Sequence, residues 1–375
     1  MFGNSVKIAT LAGFDIKVSA SWLLIAGLIV WSLSTGYFPM LFPEAELGLL
    51  LVLSVISMLG LFGSLILHEL SHSLVARRYG VGITGITLFI FGGVAELESE
   101  PKSATSEFWI AVAGPAMSFA LAFGFWVLAG FAAGMQLGDP LVAVLGYLAT
   151  INLVLAVFNL LPAFPLDGGR VFRAMLWRRS GDMVEATRKA AAVSGVIAYM
   201  LIGFGLLVLF TANAASGLWP ILIGFFILAT SQAAYQQLAT GAALGGRTVG
   251  ALMSRDVHTA DPGMTLSDLV EDVFLHHTVS FVPVVADGMV LGAIDTAALR
   301  SVPRAEWPVT RVGDVFVPLS DEMTVAEEMP AKALLDRIGR TGRRKYLVME
   351  GRQLIGVVTL TDVAGHLNVV RETGG

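Results

Sequence analysis

Residues Gly48–Leu67, GLLLVLSVISMLGLFGSLIL, run without a charged side chain straight into His68-Glu69-Leu70-Ser71-His72. Twenty residues of helix rise about 30 Å, the thickness of a bilayer's hydrocarbon core. The stretch therefore predicts a membrane-spanning helix that ends in a cluster of ionisable groups. A helix stacks residues four apart on one face, so His68 and His72 can grip one metal ion. Glu69, on the same turn, can reach a water held by that ion. Ionisable groups in a membrane-length segment are costly to keep there and by default signal function. The pattern points to metal-assisted hydrolysis. Its structural alternative is a pair of capping or buried histidines at a membrane edge.

Composition supports a membrane setting. Of 375 residues, 55% are hydrophobic and only 14% charged, and the mean hydropathy is +0.75. A soluble domain carries about 25% charge. The net charge of −5 argues against nucleic acid as a partner. The chain has no cysteine, so a metal must use His, Asp, Glu or Asn. Lys7 and Lys17 precede an apolar stretch, 22–34, with no evident cleavage site behind it, which reads as a first membrane helix.

The expected fold is a polytopic α-helical membrane protein of about six spans with a small membrane-associated β element, followed by a cytosolic α/β tail. The spans are placed at 19–37, 47–76, 108–132, 140–161, 192–210 and 218–235. Loops 38–46, 133–139 and 211–217 lack Lys and Arg, whereas Lys7, Lys17, Arg77, Arg78, Lys102, Arg170, Arg173, Arg178, Arg179, Arg188 and Lys189 fall on the other side. The positive-inside rule then puts both termini in the cytoplasm and His68 near the cytoplasmic boundary of the hydrocarbon. Residues 82–95, GITGITLFIFGGVA, are too short to span as a helix and rich in β-branched and aromatic side chains. They read as one or two strands with a bend at Gly92-Gly93, serving either as a structural hairpin or as an edge for an extended substrate. Ala113-Gly114-Pro115-Ala116 in the third span is explained by close helix packing.

The fourth span ends in Asn159-Leu160-Leu161-Pro162-Ala163-Phe164-Pro165-Leu166-Asp167-Gly168. Two prolines break the helix, and a carboxylate follows. This span runs in the same direction as the one carrying the histidines, so Asp167 arrives at the same face and a similar depth as His68. It can be a third metal ligand, leaving a fourth position for water. It can equally be a helix N-cap or an ion-pair partner of Arg170 or Arg173. Asn152 and Asn159 are polar groups in an apolar helix, and either can bond neighbouring backbone. Asn159, just before the break, is better placed to hold a substrate carbonyl or oxyanion.

The two stretches together resemble the site-2 proteases, intramembrane zinc metalloproteases that pair H-E-x-x-H on one membrane helix with N-x-x-P-x-x-x-x-D-G on a later one. The resemblance implies one zinc ion per chain held by His68, His72 and Asp167, with Glu69 as catalytic base and Asn159 assisting substrate or transition state. It implies cleavage of peptide bonds within or beside transmembrane segments, as in regulated intramembrane proteolysis. The stretch 89–93 resembles the family's membrane-associated strands, which makes 87–91 the expected pairing edge. Family members often carry Asn soon after the Gly-Pro of the third span. Here Ser118 stands in that place, and it is given no role.

After the small-residue linker 236–246, charges become frequent and two similar halves follow. The first has a capping-box-like start at Thr265-Leu266-Ser267-Asp268 and strands at 281–285 and 290–294 about Asp287-Gly288. The second has a helix starting near Thr324 and strands at 346–349 and 354–358 about Glu350-Gly351. The duplication resembles a tandem pair of cystathionine-β-synthase (CBS) domains. The expected divisions are a membrane core over 1–240, a linker and first CBS domain over 241–305, and a second CBS domain over 306–375. The resemblance implies adenine nucleotide, ATP or AMP, with Thr359 at phosphate and Asp362 at ribose. In the first half Asp295 and Ala298 occupy those places, which argues against a site there. A homodimer through the CBS domains is expected, and a purely structural module is the alternative. His258, His276, His277 and His366 read as surface or packing residues. The rival function is a CBS-gated ion or metal transporter using the same His/Glu/Asp cluster, and a third is a catalytically idle relative that binds membrane proteins.

Overall fold

The computed structural model describes residues 5–89, 92–97, 100–211 and 214–373. By packing the chain divides into two units, Met1–Gln236 and Gln237–Gly375.

The first unit opens with a hairpin, β1 (Ser5–Leu11) and β2 (Phe14–Ser19), closed by Ala12 and Gly13 at positive φ. Two such residues make the turn whose twist matches paired strands. Then come α1 (Ala20–Ser32), a π-helical turn and α2 (Phe38–Leu41), and the 32-residue α3 (Leu47–Arg78). β3 (Ile83–Phe89) and β4 (Gly92–Leu97) return before α4 (Ala104–Gly134), α5 (Asp139–Asn159), α6 (Asp167–Ser180), α7 (Met183–Thr211) and α8 (Ala214–Leu244). Six helical stretches are long and apolar enough to cross a membrane: Ala20–Leu41, Leu47–Arg78, Ala104–Gly134, Asp139–Asn159, Met183–Thr211 and Gly217–Leu244. The chain is thus a polytopic helical protein with a small sheet, as expected.

The sheet is larger than the sequence suggested. Its order is β1-β2-β3-β4, with β2 parallel to β3 and β4 antiparallel to β3. The N-terminal hairpin was not anticipated. Arg77 at the end of α3 fastens it, donating from Nη1 to the Ala12 carbonyl (2.8 Å) and lying over the Phe14 ring. On the other face Leu88 of β3 packs with Ala26, Met58 and Phe62. Gly92 and Gly93 do not form a bend but begin β4, while Ile90 and Phe91 of the expected edge lie outside the described residues. β3 is an interior strand, its Thr87 opposite Lys17 on one side and Val94 on the other. The expectation that 87–91 offers an open edge is therefore corrected: the free edge beside β3 belongs to β4.

Two helix boundaries near the site have a local cause. The α4 start is capped by Ser103 and Ser106, which bond each other's backbone. α5 stops at Asn159, and Pro162 and Pro165 prevent its continuation, so the chain restarts as α6 at Asp167. The Phe164 N–H donates to Ser194 Oγ of α7 (2.9 Å), which ties this break down.

The second unit contains a short 3₁₀ turn, α9 (Leu266–Asp268) running into a π-helical segment, β5 (Phe281–Ala286), β6 (Met289–Asp295), α10 (Thr296–Leu299), α11 (Val312–Val315) and β7 (Val317–Pro318). It continues with β8 (Thr324–Val325), α12 (Ala331–Thr341), β9 (Lys345–Glu350), β10 (Gln353–Thr359) and α13 (Leu360–Thr373). Its two three-stranded sheets are ordered β5-β6-β7 and β10-β9-β8. Two corrections apply. The stretch 236–246 is helical to Leu244, because its Ala, Gln and Leu are good helix formers. The helix expected near Thr324 starts at Ala331, after Pro330; Thr324-Val325 pairs as a strand with β9.

Candidate active site

α3 delivers His68 and His72 on one face, both buried, and the start of α6 delivers Asp167. His68 Nε2 lies 3.1 Å from His72 Nε2, and each is 3.2 Å from Asp167 Oδ2. The three donors thus form a nearly equilateral triangle. Tetrahedral zinc with bonds of about 2.0 Å separates its ligand atoms by roughly 3.3 Å, so the triangle fits that ion. Two imidazoles and a carboxylate are also its usual partners in cysteine-free sites.

The imidazoles are oriented from behind. His72 Nδ1–H donates to the Ile110 carbonyl (2.6 Å), which leaves the Nε2 lone pair free for a metal. His68 Nδ1 is 2.8 Å from Ser118 Oγ, and in the tautomer that frees Nε2 it donates there. Both partners are on α4. Between them Gly114 faces the donors: a Cβ at this position would sit 2.2 Å from His72 Nε2 and 2.5 Å from His68 Nε2. The space above the triangle therefore exists because residue 114 has no side chain. Burial works against charge on Asp167, but the neighbouring His72 and His68 act against it and hold the carboxyl below the ordinary range.

Glu69 follows His68 on α3 and has no hydrogen-bond or ion-pair partner among the described residues. Its side chain passes β4 so closely that a Cβ on Gly93 would lie 2.7 Å from its Cγ. A carboxylate neither ligated nor paired, one residue from the donors, is free to move protons. Asn159 is half-buried at the end of α5, with its amide unpartnered among the described residues. Asn152, by contrast, donates to Ser64 Oγ (3.0 Å) and the Leu148 carbonyl (2.8 Å), joining α5 to α3.

Asp167 makes no ion pair with Arg170 or Arg173 among the described residues. Arg173 instead turns to Glu107 of α4, donating from Nε at 2.7 Å and also from Nη2. Sequence reading missed Ser118, Ile110, Gly114 and Glu107 as parts of this arrangement. The available signals were faint: a lone acid at 107 before an apolar run, and a hydroxyl four residues after Gly114.

In the second unit Asp362 Oδ2 accepts from both the N–H and the hydroxyl of Thr359 (2.8 Å each). Thr359 lines a cavity of about 400 Å³ together with Ser280, Arg344, Lys345, Leu360, Thr361 and Ala364. In the first repeat Asp295 caps α10 through the N–H groups of Ala297 and Ala298, and its Oδ2 lies 3.7 Å from Lys345 Nζ. His258 and His277 stack with ring centroids 3.6 Å apart.

The profile of peptidase family M50 matches residues 56–143 and 134–203, and the CBS domain profile matches 249–303 and 312–368. The Rip3 protein of Mycobacterium tuberculosis is 37% identical over 377 residues, covering 98% of this chain and 94% of its own. Zinc metalloprotease MJ0392 of Methanocaldococcus jannaschii is 30% identical over 310 residues, covering 83% and 84%. Among solved structures, a site-2 protease from Methanocaldococcus jannaschii is 31% identical, covers 61% of this chain and 94% of its own, and superposes with a TM-score of 0.41.

Proposed function

This chain belongs to peptidase family M50 and is a site-2-type zinc metalloprotease with tandem CBS domains, and from that premise we propose that it cleaves membrane proteins within or beside their transmembrane segments, using His68, His72 and Asp167 as metal ligands and Glu69 as base. The observation that carries the assignment of residues is the donor triangle with 3.1–3.2 Å sides, built from α3 and α6 beside an unpaired carboxylate.

Zinc, when bound, supplies Lewis-acid polarisation of the scissile carbonyl and of the attacking water. Glu69 takes the proton of that water and delivers it to the leaving amine. Asn159, unpartnered at the end of α5, donates to the substrate carbonyl. A transmembrane substrate arrives with its amides closed into helical bonds and must unwind to be cut. The free edge of β4 replaces those bonds by strand addition. The contact of Gly93 with Glu69 supports this reading, since a peptide on that edge lies beside the base.

The distribution of Lys and Arg supports cytoplasmic termini and a cytoplasmic tail in a multi-pass membrane protein. The cavity beside Thr359 has the volume of a small-molecule site and carries Arg344 and Lys345, which favour an anionic ligand such as ATP or AMP. One nucleotide per chain is expected, because the first repeat has Asp295 and Ala298 where the second has Thr359 and Asp362. Met289 and Leu291 on β6, Val317 on β7 and Leu319 just after it are exposed, and they suit a homodimer contact.

The test is the metal content and cleavage activity of the purified full-length protein. Wild type should hold about one zinc per chain, Asp167→Ala and His72→Ala should lose it, and Glu69→Gln should keep it while hydrolysis disappears. A well-folded wild type without tightly held zinc refutes the site, and a Glu69→Gln variant that still cleaves refutes the base.

A further inference from the structure

Glu107 and Arg173 form a buried ion pair that the chemistry above does not use. Glu107 is fully buried, and Arg173 is 6% exposed. The Arg173 guanidinium stacks over the Phe164 ring, in the loop that precedes Asp167. Its Nη2 also lies 3.6 Å from Glu100, and Arg170 Nε lies 4.0 Å from Glu107. Glu107 Oε2 has no hydrogen-bond partner among the described residues. Isolated charges are expensive to bury, and such a pair contributes little to net stability compared with apolar packing. Its position along the two helices gives it a more specific task.

On α4 the buried stripe is Glu107, Ala111, Gly114 and Ser118, the spacing of one helix face. Gly114 meets the histidine donors, and Ser118 and the Ile110 carbonyl hold the histidines' far nitrogens. From Glu107 to Gly114 the helix rises about 10 Å. On α6, from Arg173 back to Asp167, it rises about 9 Å. The two helices thus meet at two points with matched spacing: Arg173 on Glu107 at one end, Asp167 beside the histidines and Gly114 at the other. Among the described residues the only ion pairs of α6 run to α3, through Asp167, and to Glu107 and Glu100, through Arg170 and Arg173.

We propose that Glu107 and Arg173 are positioning residues for the metal site: their buried pair fixes the register of α6 on α4 and so places Asp167 at ligand distance from His68 and His72. The inference rests on the metal-site reading above. The pair touches neither metal nor substrate. Its effect passes through the backbone of one and a half turns of α6, so it acts on the third ligand rather than on the histidines.

The experiment is zinc binding to full-length metal-free protein in chelator-buffered solutions, with melting of the metal-free form as a fold control and the visible absorption of the Co²⁺-loaded form as a report on ligand geometry. Glu107→Gln and Arg173→Gln should each weaken zinc binding by about 10- to 100-fold, the usual size for loss of a residue that orients a ligand. Both should alter the Co²⁺ spectrum. The double variant should lose no more than either single one, because the pair acts as one unit. Arg173→Lys, which keeps the charge, should recover part of the loss. The double variant leaves no unpaired buried charge and serves where a single one fails to fold. Folded variants with unchanged zinc affinity and Co²⁺ spectrum overturn the proposal, even if their melting temperature falls. A wild type that takes up no zinc overturns instead the metal-site reading on which it rests.

Discussion

Gly114→Ala isolates the metal site from the packing of the bundle. The added Cβ would sit 2.2 Å from His72 Nε2, 2.5 Å from His68 Nε2 and 2.7 Å from His72 Cε1. Relief to ordinary carbon–nitrogen contact requires displacement by roughly 1 Å at each ring. Neither ring can simply swing away. His72 is bonded through Nδ1 to Ile110 and His68 through Nδ1 to Ser118, both on the helix that carries the new methyl. The displacement therefore falls on the donor triangle, whose sides are 3.1–3.2 Å. A misplacement of about 1 Å costs on the order of 100-fold in rate. That corresponds to about 2.7 kcal/mol of transition-state stabilisation at 1.36 kcal/mol per tenfold. The methyl also takes volume that a metal ion would use, so zinc stoichiometry should fall with activity. The assay is zinc per chain and the rate of cleavage of a membrane substrate, with helicity by circular dichroism as the control. The sequence alone attributes Gly114 to helix packing, and that explanation makes the opposite forecast: a less stable protein that keeps its zinc. A folded Gly114→Ala protein with full zinc and cleavage within about threefold of wild type refutes the reasoning drawn from this contact.

Three further outcomes are expected. Ser118→Ala removes the acceptor for His68 Nδ1 and should weaken zinc about tenfold, measured by chelator competition, while Ser118→Asn, which restores an acceptor, should recover most of it. Gly93→Ala drives a methyl against Glu69 and not against the ligands, so zinc should remain and kcat should drop by about 10²-fold or more in a cleavage assay. Asp362→Ala removes the acceptor shared by the Thr359 N–H and hydroxyl; calorimetry with ATP and AMP should show binding lost, and any response of cleavage to nucleotide should vanish with it.

What could be read in the sequence was whatever repeats along one helix or is forced by length. The meeting of His68 and His72 on one face follows from a spacing of four, and the spans follow from runs of apolar residues long enough to cross a bilayer. The approach of Asp167 was expected from two apolar helices running in the same direction, with the carboxylate placed just after the break that ends the second. The orienting contacts had no such trace. Ser118 is fifty residues from His68, Ile110 is thirty-eight from His72, and Arg173 is sixty-six from Glu107. Each is a tertiary contact through one atom, and in the Ile110 case that atom is a backbone oxygen any residue would provide. The N-terminal hairpin escaped for another reason. β1 is exposed along nearly its whole length, so no alternation of apolar and polar residues marks it. Thr324 misled because a hydroxyl residue before acidic ones resembles a helix N-cap, while the proline that sets the true start lies six residues on.

The same geometry weighs between hydrolysis and transport. A transport site must bind its ion strongly enough to admit it and weakly enough to release it. The donor set here is held from behind at both histidines and lies against a helix that Gly114 brings into contact with them. Such fixed ligands retain an ion rather than pass it on. Glu69 points to the same conclusion. In a permeation path a carboxylate one residue from the ligands would be expected to join them, yet Asp167 completes the triangle and Glu69 has no hydrogen-bond or ion-pair partner among the described residues. On the proposed reading, an unligated acid next to a three-donor site would move the proton of a water, a task that ion carriage does not give it. A substrate strand added to β4 would, on the same reading, lie next to that acid.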